Sequence, residues 1–199
     1  MDLNPLFWLR ATEEKGARKP GAGAFAMLFA LDSTARASVV TVLYPQAKDL
    51  GFPDRHVTLL TNVASLSSLV FSFLAPILIV RYRRRWVYVG GIFLGMAGTI
   101  ALSTATIPGE VAALILRAMS SVTINICLML YVMDFIPRHQ MVRSEPLRLF
   151  SGCLPWGLGP WIGVELYKTF GPGGTAIMSF VSYTALLACF AYLRISDNP

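Results

Sequence analysis

Residues 22–46 read AGAFAMLFALDSTARASVVTVLYPQ, a stretch with only two charges, Asp32 and Arg36. A helix over it rises 1.5 Å per residue and reaches about 37 Å, enough to cross a ~30 Å hydrocarbon core with some tilt. The two charges stand four apart and so share a helical face. A charge at bilayer depth costs about 2.5–3.5 kcal/mol on insertion scales. A helix that carries one faces the interior of a bundle, a water-filled cavity or a solute path.

Working outward, five more stretches have the same character: 57–80, 86–106, 110–135, 149–168 and 175–193. The connections between them carry turn residues: Gly51-Phe52-Pro53, Pro108-Gly109, Pro137 and Gly171-Pro172-Gly173-Gly174. The expectation is an all-α integral membrane protein with six transmembrane helices in one bundle. An N-terminal segment over 1–21 and a tail over 195–199 would flank a membrane domain over 22–194. Composition agrees. Hydrophobic residues make up 55% of the chain and charged ones 14%, against about 25% charged in a typical soluble domain. Six spans consume nearly all of the 199 residues, which leaves no room for a soluble catalytic domain. The net charge of +6 does not point to nucleic acid, because the basic residues lie at helix ends, where positive charge sets membrane orientation.

Orientation follows from the basic residues. Arg10, Lys15, Arg18, Lys19, Arg81, Arg83, Arg84, Arg85, Arg138, Arg143, Arg148 and Arg194 fall on one side. Lys48, Arg55 and Lys168 fall on the other, and Arg36 and Arg117 lie within spans. The richer side is expected to be cytoplasmic. Both termini then lie inside, as an even number of spans requires, and the membrane is the inner or plasma membrane. The N-terminus does not read as a signal peptide, because the apolar patch Leu6-Phe7-Trp8-Leu9 precedes the charged 10–19 stretch. Asn4 and Pro5 suit the start of a short interfacial helix; a disordered tail is the equal alternative.

Span two carries Ser65, Ser68 and Ser72 on one face, and span three carries Gly91, Gly95 and Gly98. Both stripes read as packing surfaces, since small residues let membrane helices approach closely. Span five contains Pro155-Trp156-Gly157-Leu158-Gly159-Pro160, which predicts a bent or locally unwound helix. Asn62 and Asn125 are expected to bond between helices, and Glu165 to reach water near a span end. Cys127, Cys153 and Cys189 all fall in spans without metal-ligand spacing and read as buried small hydrophobes.

The deepest charges are Asp32, Arg36 and Arg117. Arg36 lies about fourteen residues, or roughly 20 Å, from one membrane face, and Arg117 about seven residues, or roughly 10 Å, from the other. In a ~30 Å core they stand at similar depth. One carboxylate, Asp32, would then serve two guanidinium groups. Such a network is either a substrate or proton-coupling site or an ion pair that fixes helix register. Its excess positive charge would attract an anion or tune the proton affinity of Asp32. A lone bundle would turn the Asp32–Arg117 face toward lipid.

These segments together resemble the N-terminal half of a major facilitator superfamily (MFS) transporter. Val80-Arg81-Tyr82-Arg83-Arg84-Arg85 is similar to the family's Gly-x-x-x-Asp-Arg-x-Gly-Arg-Arg loop between spans two and three. Arg81, Arg84 and Arg85 match; Pro76, Val80 and Arg83 replace the first glycine, the aspartate and the second glycine. Arg117 matches the arginine of the span-four Arg-x-x-x-Gly motif, with Ser121 in place of the glycine. Tyr131-Val132-Met133-Asp134-Phe135-Ile136-Pro137, followed by Arg143, resembles the family's exit from span four. Gly159-Pro160-Trp161-Ile162-Gly163 is similar to the core of the span-five motif found mainly in antiporters.

The resemblance implies two inverted three-helix repeats and a solute site near the midplane between two six-span halves. It casts Arg81, Arg84, Arg85, Asp134 and Arg143 as a conformational loop, and Gly159, Pro160 and Gly163 as gating residues. It implies half of a secondary active transporter for a small solute, with proton-coupled export as one mode. Its partners would be the lipid bilayer, the solute, protons, and a second six-span half or a homodimer partner. The competing readings are a structural or channel-like six-span protein and an inactive transporter fragment. No enzyme, cofactor or metal is expected: His56 and His139 lie in loops on opposite sides, and neither His-Glu-x-x-His nor Gly-x-Ser-x-Gly occurs.

Overall fold

A computed structural model describes residues 8–9, 19–40, 42–51 and 53–193. The placement of side chains 8, 9, 19, 54–57, 60, 138–140, 142 and 143 is not described. The chain is helical almost throughout. In order the helices are α1 (Ala22–Val40), α2 (Leu43–Asp49), α3 (Asp54–Arg81), α4 (Arg84–Ser103), α5 (Ile107–Phe135), α6 (Arg138–Phe170) and α7 (Pro172–Tyr192). Ahead of them, β1 (Trp8–Leu9) and β2 (Lys19–Pro20) form a two-residue antiparallel pairing. Trp8 and Leu9 are therefore not in the short helix that the sequence allowed. The rest of that segment, and the tail over 195–199, lie outside the described residues.

Among the described residues, five helical stretches are long and apolar enough to cross a membrane: Ala22–Asp49, Thr61–Arg81, Arg84–Ser103, Ile107–Phe135 and Pro172–Tyr192. The remaining expected span, the fifth at 149–168, belongs to α6. That helix is 33 residues long and is the least apolar of the long helices, because Arg138, Arg143, Glu145, Arg148, Glu165 and Lys168 add charge along it and glycine and proline interrupt its hydrophobic run. It is nevertheless helical from end to end through Pro146, Pro155 and Pro160, so the expected unwinding does not occur. A proline inside a helix removes one backbone hydrogen bond and crowds the preceding turn. The packing of α6 along α1 offsets that loss.

Near the end of the expected first span, Val42 is a turn residue whose N–H bonds to the Val39 carbonyl, and α2 follows over seven residues.

The neighbours are well defined. α4 lies along α5 and α1 along α6 over long stretches; α1 also packs on α7, α3 on α5, and α4 on α7. α6 and α7 share a smaller contact, and α3 and α4 hardly touch. One core fills the end of the bundle near the α3–α4 turn. There Tyr88 stacks on Phe190 at 4.4 Å between centroids and meets Tyr131 edge-on at 6.3 Å. Between membrane helices no hydrophobic force drives association, so close packing and polar contacts carry it.

The Gly91, Gly95 and Gly98 stripe serves that close packing. A Cβ on Gly95 would stand 2.5 Å from the Tyr183 ring, and one on Gly98 would stand 2.8 Å from Cγ of Arg117. The serine stripe of α3 does not pack as expected. Ser65 is exposed and Ser72 only half-buried, and their hydroxyls donate to the carbonyls of Thr61 and Leu69 in their own helix. Hydroxyls satisfied in this way can face lipid at little cost. Asn62 is also exposed, and Asn125 donates to Ser121 within α5 rather than across helices. Cys127 is buried, whereas Cys189 is half-buried and Cys153 exposed, so only the first fits the expectation for the cysteines. Glu165 is exposed, as expected.

Candidate functional site

Asp32 and Arg36 lie one turn apart on α1, and their side chains touch: Arg36 Nη2 stands 2.6 Å from Asp32 Oδ2. Asp32 is buried at 1% exposure. The other guanidinium arm of Arg36 reaches across to α5, where Nη1 donates to Ser121 Oγ at 2.7 Å. Ser121 stands where the resembling motif has glycine, and the hydroxyl it brings is the partner of Arg36.

Arg117 enters from α5 and is likewise buried, at 8% exposure. It does not bond to Asp32. Nη1 donates to Thr99 Oγ1 of α4 at 3.2 Å and to Ser179 Oγ of α7 at 3.1 Å, while Nη2 donates to the Ala35 carbonyl of α1 at 2.9 Å. Ser179 also donates to that carbonyl, at 2.7 Å. The expected carboxylate shared by two guanidinium groups is therefore corrected. Asp32 pairs with Arg36, and Arg117 is held by neutral oxygens. The reason is geometric: the open Gly98 seat guides the Arg117 stem between α4 and α7, where hydroxyls meet it. The expected exposure of an Asp32–Arg117 face is corrected too, since both side chains are inside the bundle.

Around this centre three buried polar atoms have no hydrogen-bond partner among the described residues: Asp32 Oδ1, Arg36 Nε and the hydroxyl of Tyr88, while the Tyr183 hydroxyl is beside that of Ser120. Unpaired buried polar atoms carry a desolvation cost of about 1–3 kcal/mol each. The cluster thus combines one anion and two cations with spare donors and acceptors, and it can bind a proton, a water or a polar ligand group. Thr99, Ser120, Ser179, Tyr88 and Tyr183 escaped the sequence reading. The available signal was weak: small hydroxyls and tyrosines inside otherwise apolar runs.

The residues of the expected conformational loop separate into groups. Arg84 pairs with Asp134, and its guanidinium lies 5.2 Å above the Tyr131 ring. Arg81 and Arg85 are exposed. Arg143 falls on α6, but its side chain lies outside the described residues. Two to three turns from the start of that helix, Arg148 pairs with Glu145 and covers the Phe29 ring at 4.5 Å. The hydrogen bonds from Arg148 hold the Glu145 carboxyl below its ordinary range.

The gating candidates on α6 meet α1. A Cβ on Gly159 would stand 2.7 Å from Ala37 Cβ, and one on Gly163 would collide with the Ser38 carbonyl. Pro160, between them, is half-buried. Gly159 and Gly163 are thus contact residues that seat α6 against the charged helix.

A second polar group occupies the opposite end. Gln46 of α2, buried, donates from Nε2 to the Leu102 carbonyl at 3.0 Å, and the Tyr167 hydroxyl donates to Asp49 at 2.6 Å. Glu110, in the first turn of α5, is buried there as well. Among the described residues, no group of three or more His, Cys, Asp or Glu side chains is placed to hold a metal.

The chain matches no family model and none of the curated proteins compared with it. Fold and site together define an all-helical chain whose long apolar helices are compatible with an integral membrane protein and which buries a charged cluster.

Proposed function

We propose that this chain is one half of a secondary active transporter for a small solute, with six spans of which 149–168 is the fifth. The carrying observation is the cluster of Asp32, Arg36 and Arg117, with Asp32 and Arg117 buried among apolar helices, Arg36 half-buried beside them, and polar atoms still unpaired around the three. Charges that only fixed register would be expected to be fully satisfied, because every open valence in a low-dielectric interior is costly. A site that exchanges protons or polar ligands has to leave some open.

The helix neighbours support the inverted-repeat reading. Exchanging α1 with α5, α3 with α6 and α4 with α7 maps the principal contacts onto one another. The α1–α6 contact becomes α5–α3, α1–α7 becomes α5–α4, and α4–α7 is unchanged. That is the pattern of two three-helix units with opposite orientation. The Arg84–Asp134 pair fits a loop whose contact with span four is made in one state and released in another. The solute, the coupling proton and the second six-helix half belong to this proposal.

Uptake of a panel of labelled small solutes into cells, with and without an uncoupler, tests it. Saturable, uncoupler-sensitive flux is expected, and Asp32→Asn and Arg36→Gln should each reduce it more than tenfold per molecule of folded protein. Flux that neither saturates nor responds to uncoupler would favour the channel-like reading. Unchanged flux in both variants would leave only a register role for the pair.

Orientation has its own test. In a background lacking Cys127, Cys153 and Cys189, a cysteine at position 53 should react with an impermeant thiol reagent on intact cells, and one at position 83 should not. The reverse pattern would overturn the proposed cytoplasmic placement of the basic loop and both termini.

A further inference from the structure

We propose that the cleft between α3 and α4 is a binding site for one anionic phospholipid, with an acyl chain in the cleft and the headgroup at the arginines of the α3–α4 turn. The two helices diverge so far that they hardly touch, and between them lies a cavity of about 450 Å³. Phe71 and Leu78 of α3, Trp86 and Gly90 of α4, and Tyr82 in the turn line it. No atom lies within 4 Å of where a Cβ on Gly90 would stand, so that residue leaves the cleft open along its length. A cleft with so few polar groups does not hold water, which needs two to four polar partners. Open to the side of a membrane helix pair, it takes a hydrocarbon chain.

The charge at its mouth selects the headgroup. Arg81 ends α3 and Arg83 lies in the turn; both are exposed, and Arg85 follows in the first turn of α4 with a contact of its own. The chain contains no Asp or Glu between Asp54 and Glu110, so neither helix supplies a nearby anion. Asp134 comes from α5 but is engaged by Arg84. α4 also begins with no capping side chain on its first amides and no acid in its first turn. A helix start of that kind favours a phosphate. Tyr82 and Trp86, 56% and 69% exposed, stand where amphipathic rings mark the boundary between lipid chains and headgroups. Clustered arginines beside a membrane helix attract anionic lipid. Here the adjoining cleft gives that lipid a fixed seat, and this inference does not depend on the transport reading.

Trp86 reports the site. The purified chain is reconstituted in phosphatidylcholine vesicles containing a small, equal fraction of brominated phosphatidylglycerol or brominated phosphatidylcholine. The Trp86 signal is the part of the tryptophan quenching that disappears in Trp86→Phe. Quenching of that part by the brominated phosphatidylglycerol is expected to exceed quenching by the brominated phosphatidylcholine at least twofold. Gly90→Leu fills the cleft and should abolish the preference with the arginines intact. Arg81→Gln/Arg83→Gln/Arg85→Gln should abolish it with the cleft intact. Helical content by circular dichroism checks each variant; if the triple variant loses it, Arg83→Gln alone should lower the preference measurably. Equal quenching by the two lipids in the unmodified chain would overturn the proposal. So would a preference that survives Gly90→Leu, which means attraction without a seated chain. A preference that survives the arginine changes would refute the anionic headgroup.

Discussion

Asp32→Ala is expected to lower the unfolding midpoint of the purified bundle more than removal of any other acidic side chain. Asp32 is 1% exposed, touches Arg36 at 2.6 Å, and is the one carboxylate in a cluster with two guanidinium groups, that of Arg117 buried and that of Arg36 half-buried. Its loss leaves those two like charges facing each other without compensation. Breaking a buried pair from one side costs about 3–5 kcal/mol, mostly the penalty of the charge left behind. Replacing both members removes that penalty. The double variant Asp32→Ala/Arg36→Met should therefore be more stable than Asp32→Ala alone. Thermal unfolding of all three proteins in one detergent, followed by loss of monodisperse protein, gives the comparison. If the two changes are simply additive, the pair is not energetically coupled and the picture of the cluster is wrong.

Gly163→Val should be as damaging for a different reason. A Cβ at this position meets the backbone carbonyl of Ser38, and a backbone atom inside α1 cannot move aside as a flexible side chain can. Overpacking usually costs about 1–3 kcal/mol and more where the neighbour is rigid. The expected result is separation of α6 from α1 and loss of folded protein from the membrane. Gly157→Ala, on the same helix, is the control. It has open space around it and is exposed, so added helix propensity should leave stability equal or slightly higher, by up to about 1 kcal/mol. Equal loss in both variants would show that the glycines matter for helix flexibility and not for contact with α1.

Much of the helical pattern was legible because a membrane span writes itself as an apolar run of fixed length. The helices containing Phe93, Leu116 and Leu186 appeared close to where hydropathy placed them. α6 was less legible. Its glycines and prolines read as a break, yet they are contact residues for α1, which a single helix cannot disclose. The charged residues were visible as exceptions within apolar runs, and Asp32 and Arg36 pair as their spacing suggested. Their relation to Arg117 was not legible. Similar depth brought Arg117 near the pair in the argument, but partners are chosen by rotation about the helix axis, which depth does not specify. Thr99 and Ser179 are its hydroxyl partners, and Gly98 makes the room beside them. The serine stripe of α3 failed because a periodic face says that a helix is two-sided, not which side is covered.

The Ala35 carbonyl has a mechanical consequence. One backbone oxygen of α1 receives Arg117 from α5 and Ser179 from α7, and Arg117 also holds Thr99 of α4. Four helices are thereby pinned at one point inside the bundle, and α6 is keyed to α1 through its glycines. Relative sliding of these five would have to shear charge-assisted bonds made inside the bundle. They form a chassis that translates or tilts whole. α3 is outside that chassis: it rests on α5, barely meets α4, and keeps most of its surface uncovered. Any displacement that leaves the pinned point intact is therefore concentrated in α3, which acts as a leaf swinging on the Arg81–Arg84 turn.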